Sequence, residues 1–147
     1  MEKKYMHTFL IIIVLLVCIA VAGMNYFKKS NEREIAKTAI SEFLEEIRKT
    51  SPEDITCIRV TFYTEGGADF REITDGERIK EIYPLLCDLS LGEETQLGVL
   101  DDGMSLEVEM GEEKYNYYFE GNILVMDNDI RYEVNNMGPL VKCLKTI

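Results

Sequence analysis

The sequence predicts an α+β protein: an N-terminal transmembrane helix, then an antiparallel sheet (hairpin plus four-stranded meander) packed with about three helices. Three observations predict it. Tyr5 to Phe27 contains no Lys, Arg, Asp or Glu. Residues 104–134 alternate apolar and polar side chains in short runs separated by Gly, Asn and Asp. Three further segments repeat apolar residues at helical spacing. The expected organisation is residues 1–27 as tail and signal anchor, 28–50 as an amphipathic linking helix, and 51–147 as an acidic α+β domain.

The apolar stretch comes first. As a helix, its 23 residues reach roughly 34 Å, enough for a hydrocarbon core of about 30 Å. Its lipid-facing part is Phe9–Met24, with Tyr5 and Tyr26 at the two interfaces and Lys3, Lys4, Lys28 and Lys29 bracketing it. Ala20-Val21-Ala22 has the small-x-small form of a signal-peptidase site, so cleavage near Ala22 is the alternative. The length of the run, beyond the roughly 7–15 residues of an ordinary signal core, favours the retained anchor. Lipidation of Cys18 is disfavoured, because Val17 stands where a small residue is expected and the following residues stay apolar.

After the stretch come Lys28, Lys29, Arg33 and Lys37, against Lys3 and Lys4 before it. Charge alone would therefore keep the domain cytoplasmic. A short tail with two lysines ahead of an apolar core is nevertheless the export pattern. On that pattern we expect a single-pass protein of the cell membrane with an extracytoplasmic domain, or a secreted one if the chain is cut near Ala22.

Asn31 and Glu34 have the form of a helix cap and capping box. Ile35, Ala36, Ala39, Ile40, Phe43, Leu44 and Ile47 then form a broad stripe, too wide for a two-stranded seam, that ends at Ser51-Pro52. Residues 55–64 alternate as a strand, Glu65-Gly66-Gly67 turns, and residues 68–73 return. Thr74 or Asp75 caps a helix carrying Ile79, Ile82, Tyr83, Leu86 and Leu89, with Pro84 expected to kink it. Leu91 to Leu100 reads as a loop. The meander follows, and Gly138-Pro139 opens a last helix with Leu140, Val141 and Leu144 on its apolar side.

Charge limits the partners. From Asn25 onward there are 14 Lys and Arg against 26 Asp and Glu, a net of −12. Such a surface repels nucleic acid and anionic headgroups; it suits cations, basic peptides or simple solubility, and a solvated acidic surface is its plainest reading. The domain's cysteines, Cys57, Cys87 and Cys143, are odd in number and lack CxxC spacing. They read as small apolar residues rather than a disulfide framework or zinc site, although one bridge among them stays open.

Candidate chemistry is sparse. His7 is the only histidine and lies at the membrane boundary. The domain therefore has no His-based nucleophile pair or zinc site, and no nucleotide-binding or hydrolase motif. No cofactor is expected, and an enzyme is the less favoured class. Asp127, Asp129 and Glu133, or Asp101 and Asp102, offer oxygen ligands for a metal, but such residues serve hairpin turns equally well. Glu107 and Glu109 point the same way on one strand, about 7 Å apart, a spacing that acid/base hydrolysis can use. Tyr118 points opposite to Tyr117 and offers an exposed ring to a peptide or glycan. Tyr118, Glu107 and Glu109 are the expected interaction surface.

Two resemblances follow. An apolar helix running into an amphipathic one and then an antiparallel sheet resembles the plan of type IV pilins and pseudopilins, with Thr8-Phe9-Leu10 at their start. His7 replaces the expected Gly and Ile13 the expected Glu. Phe9–Met24, ITDGERIKEI (Ile73 to Ile82) and YFEGNIL (Tyr118 to Leu124) resemble small membrane-anchored proteins of unknown function from low-GC Gram-positive bacteria. That resemblance implies a tethered acidic α+β domain and no particular activity. The expected function is a non-catalytic binding module with a protein or peptide partner. A divergent pseudopilin-like subunit and an acidic-site hydrolase are the alternatives.

Overall fold

A computed structural model describes residues 2–96, 102–126 and 130–147, with side chains from residue 13 onward. The first element is a single helix, α1 (Glu2–Lys49). Asn31 therefore lies inside a helix instead of capping one. Nothing between Asn25 and Arg33 removes a backbone donor, and Ser30 and Asn31 each weaken a helix by well under 1 kcal/mol. The chain divides into two compact units, Met1–Lys37 and Thr38–Ile147.

In the first unit, Ile13, Val14, Leu15, Leu16, Val17, Ile19 and Val21 are all exposed. The helix is long and apolar enough to cross a membrane, and protein covers none of its apolar window. A helix apolar on every side finds its favourable surroundings in lipid.

The second unit begins with the end of α1 and a short turn of 3₁₀ helix (Pro52–Asp54), then β1 (Ile55–Thr64) and β2 (Gly67–Ile73). Helix α2 (Gly76–Cys87) follows, with Asp75 as its cap accepting from the Arg78 backbone N–H at 2.9 Å. It runs through Pro84 as one helix, with that proline in its last turn. Next come β3 (Ser90–Glu94), β4 (Gly103–Met110), β5 (Glu113–Glu120), β6 (Ile123–Val125) and β7 (Arg131–Asn135), and then α3 (Met137–Thr146).

The strands form one antiparallel sheet in the order β2-β1-β4-β5-β6-β7-β3. The hairpin (β1, β2) and the meander (β4 to β7) stand as the alternation predicts. Strand β3 was not expected. Ser90–Glu94 pairs with β7 and so satisfies the edge that the meander would otherwise leave bare. Gly92 looks like a loop signal in the sequence. Here it allows a close approach, because a Cβ at that position would fall 3.1 Å from the Cβ of Glu133. Residues 97–100 of the expected loop lie outside the described residues.

Register assigns the two faces, because partners in a ladder point the same way. Val60, Leu106 and Tyr117 share one face, and Ile58, Val108 and Tyr115 the next row of it. The helices pack here. Phe43 of α1 stacks on Tyr117 and Tyr115 with ring centroids 4.6 and 5.1 Å apart. Arg71 of β2 donates to the Leu144 carbonyl of α3 at 2.9 Å. Arg48 of α1 donates to the carbonyls of Cys87 and Leu89, capping the free C-terminal end of α2. Ile47, Ile58, Ile82, Leu86, Val108, Leu140 and Leu144 are fully buried in the resulting core.

Candidate interaction surface on the open half of the sheet

The opposite face carries polar residues and an aromatic band. One row runs Phe70, Thr61, Ser105, Tyr118, Val125, Arg131 across β2, β1, β4, β5, β6 and β7. The neighbouring row runs Ala68, Tyr63, Gly103, Glu120, Ile123, Glu133, and the other neighbour Glu72, Arg59, Glu107, Asn116. Toward β6 and β7 this face is shielded, since Glu120 and Ile123 are buried, with Arg131 3.8 Å from Glu120. It is open over β2, β1 and β4, where the Tyr118 ring of β5 also reaches: Phe70 is 60 % exposed, Tyr63 42 % and Tyr118 39 %. Large rings left in water on a sheet without a helix above it are the feature most in need of a partner.

Gly103 explains how two of these rings meet. It lies on β4 between Tyr63 and Glu120, and the Tyr118 ring lies over its bare backbone toward Tyr63, 6.0 Å away centroid to centroid. A Cβ at residue 103 would fall 2.8 Å from Tyr118 Cζ. The glycine thus supplies a floor for a cross-strand aromatic pair. Gly103→Ala is expected to swing Tyr118 away while costing less than about 1 kcal/mol, because the ring can move into solvent. With 3-fluorotyrosine incorporated, the residue 118 and 63 resonances should move and the other tyrosines stay; an unmoved pair would contradict the packing.

Glu107 and Glu109 do share this face with Tyr118. They are not a free carboxylate pair, however. Arg59 Nη1 donates to both at 2.5 Å while its Nε donates to Glu72 at 2.7 Å, and Lys114 pairs with Glu109. Hydrogen bonds from Lys114 and then Arg59 hold the Glu109 carboxyl below the ordinary carboxylate range. A general acid needs the opposite shift. Arg59 is correspondingly held protonated by its three acids.

A lowered carboxylate pKa stabilises the fold above its unfolded value, near pH 4.5, and that share fades as pH falls through the folded value. The destabilisation caused by Lys114→Gln should therefore be full near pH 7 and shrink steadily as pH falls below 4.5, in urea titrations followed by circular dichroism. An equal loss across that range would contradict the ion pair.

The remaining expected site residues are dispersed. Asp127, Asp129 and Asp101 lie outside the described residues. Asp102 lines a cleft beside α3, and Glu133 is at the far end of its row on β7. Among the described residues no three His, Cys, Asp or Glu side chains converge on a metal position. All four cysteines are free thiols in the structure. Burial pushes the Cys57 thiol up, as for an inert apolar residue. Sequence reading missed Arg59, Tyr63, Phe70 and Gly103. Arg59 and Tyr63 have the same parity on β1, but only register brings them together with Tyr118.

No protein-family model, curated protein or solved structure matches the chain.

Proposed function

We propose that this is a membrane-tethered, extracytoplasmic binding module, non-catalytic, whose open sheet half docks a protein partner with a basic and apolar surface. The observation that carries this reading is the exposed band of Phe70, Tyr63 and Tyr118 on the helix-free face. Charge defines the partner. Residues 38–147 hold 10 Lys and Arg against 24 Asp and Glu, so a basic partner is steered toward the domain and an acidic one repelled. Helix α1 supplies the tether, and a tethered module gains effective concentration over partners in the same membrane.

A photo-crosslinking residue at Thr61, between Phe70 and Tyr118, tests this in intact membranes. A discrete adduct with a basic protein is expected, and it should vanish with Phe70→Ser and Tyr118→Ser together. Adducts that survive both substitutions, or none at all, would overturn the reading.

One observation favours the pseudopilin-like alternative: α1 is a single uninterrupted helix from Glu2 to Lys49 whose C-terminal part packs on an antiparallel sheet. Processing close to His7 would support it, and an intact N-terminus by mass spectrometry would count against it.

A further inference from the structure

We infer that the cleft between α3 and the adjoining ends of β1 and β4 binds a small amphiphilic anion, a molecule with an anionic head on a compact apolar body. The cleft has a volume of about 530 Å³, within the range of roughly 300–1,000 Å³ of small-molecule sites. Its walls are mainly apolar, with Phe62 from β1, Met104 from β4, and Met137 and Val141 from α3. Lys142 and Lys145, three residues apart on one side of α3, also line it. Among the described residues its one carboxylate is Asp102, against two lysines, within a unit of 10 bases and 24 acids.

The other bases of that unit are occupied. Lys49, Arg59, Arg71, Arg78, Lys80, Lys114 and Arg131 pair with carboxylates, and Arg48 with two carbonyls. Lys142 and Lys145 make no ion pair among the described residues, although acids outnumber bases more than two to one. Lys145 instead places its ammonium 5.4 Å from the Phe62 ring centroid, held over the apolar wall by a cation–π contact. Two unpaired ammonium groups beside an apolar recess match an anion attached to an apolar body, and neither part alone satisfies the site. This inference is independent of the sheet face, because its occupant, its cations and most of its walls are different.

The test uses the full chain in lipid nanodiscs with ¹³C-methyl-labelled methionine, titrated with 4-phenylbutyrate, with 4-phenylbutanol (apolar body alone) and with acetate (anion alone). Met104 and Met137 should shift saturably with 4-phenylbutyrate, while the buried Met110, outside the cleft, should not. Binding should weaken about tenfold or more for the alcohol, for acetate, and for the K142Q/K145Q variant, as loss of a charged contact implies. The K142R/K145R variant should retain it. Both lysines are exposed, so these variants keep the fold, which circular dichroism checks. Equal titration by the alcohol, unchanged binding by K142Q/K145Q, or methyl groups that do not respond would each overturn the inference.

Discussion

Phe43→Ala is expected to destabilise the domain by about 3–5 kcal/mol, the usual cost of removing a buried phenyl ring. Phe43 is 2 % exposed and touches Tyr115 and Tyr117 of β5, so its ring is a direct joint between α1 and the sheet. At about 110 residues, a loss of this size corresponds to a fall in Tm of roughly 12 °C or more. The same substitution has a second readout. Burial pushes the Tyr117 hydroxyl up to about 12, and the hydrogen bond to Glu113 does the same for Tyr115. A raised tyrosine pKa stabilises the fold fully below its unfolded value near 10 and loses that share as pH rises toward 12. Alkaline titration of the wild type should therefore show late-ionising tyrosines, and Phe43→Ala should return Tyr117 toward 10. A stability loss below about 1 kcal/mol would mean the ring is not the joint between helix and sheet.

The second large effect concerns the tether. Val14→Arg together with Val17→Arg places two guanidinium groups in the centre of the apolar window. Each costs about 2.5–3.5 kcal/mol on insertion scales, so the pair removes roughly 5–7 kcal/mol from membrane integration. These residues are exposed in the helix and make no protein contact that the change could break. The domain should keep its circular dichroism spectrum while the chain moves from the membrane pellet to the alkaline-carbonate supernatant. A variant that stays in the pellet would show that something other than this helix holds the protein there.

Much of the architecture was legible in the residues. Alternation in residues 104–134 marks strands β4 to β7, and the Ile79, Ile82, Leu86 stripe marks α2, because burial imposes period 2 on a strand and 3.6 on a helix. Strand β3 was not legible. Ser90–Glu94 has no clear alternation, and its pairing is decided by the free edge of β7 and the close approach at Gly92, both non-local. The start expected at Asn31 failed for a related reason. A capping sequence is a local preference of about 1 kcal/mol, and it yields when the preceding apolar segment is already helical.

The candidate surface was half legible. Tyr118, Glu107 and Glu109 do lie on one face, as their strand parity requires. Arg59 between the two glutamates, however, is 48 residues away from Glu107 in the chain and enters only through the β1–β4 register. That contact turns an expected acid pair into an ion-pair ladder beside the aromatic band. The basic cleft was hidden for the same reason, since Lys142 and Lys145 stand out only once the other bases of residues 38–147 are seen to be paired.

Hydroxyl-radical footprinting of the native membrane against purified protein in detergent tests the central claim, that the open half of the sheet is a docking face, most directly. Tyr63, Phe70 and Tyr118 should oxidise readily in the purified protein, as their exposure dictates, and should be protected in the membrane where a partner covers them. The buried Phe43 should stay unreactive in both. Equal oxidation of the three rings in both preparations would contradict the account.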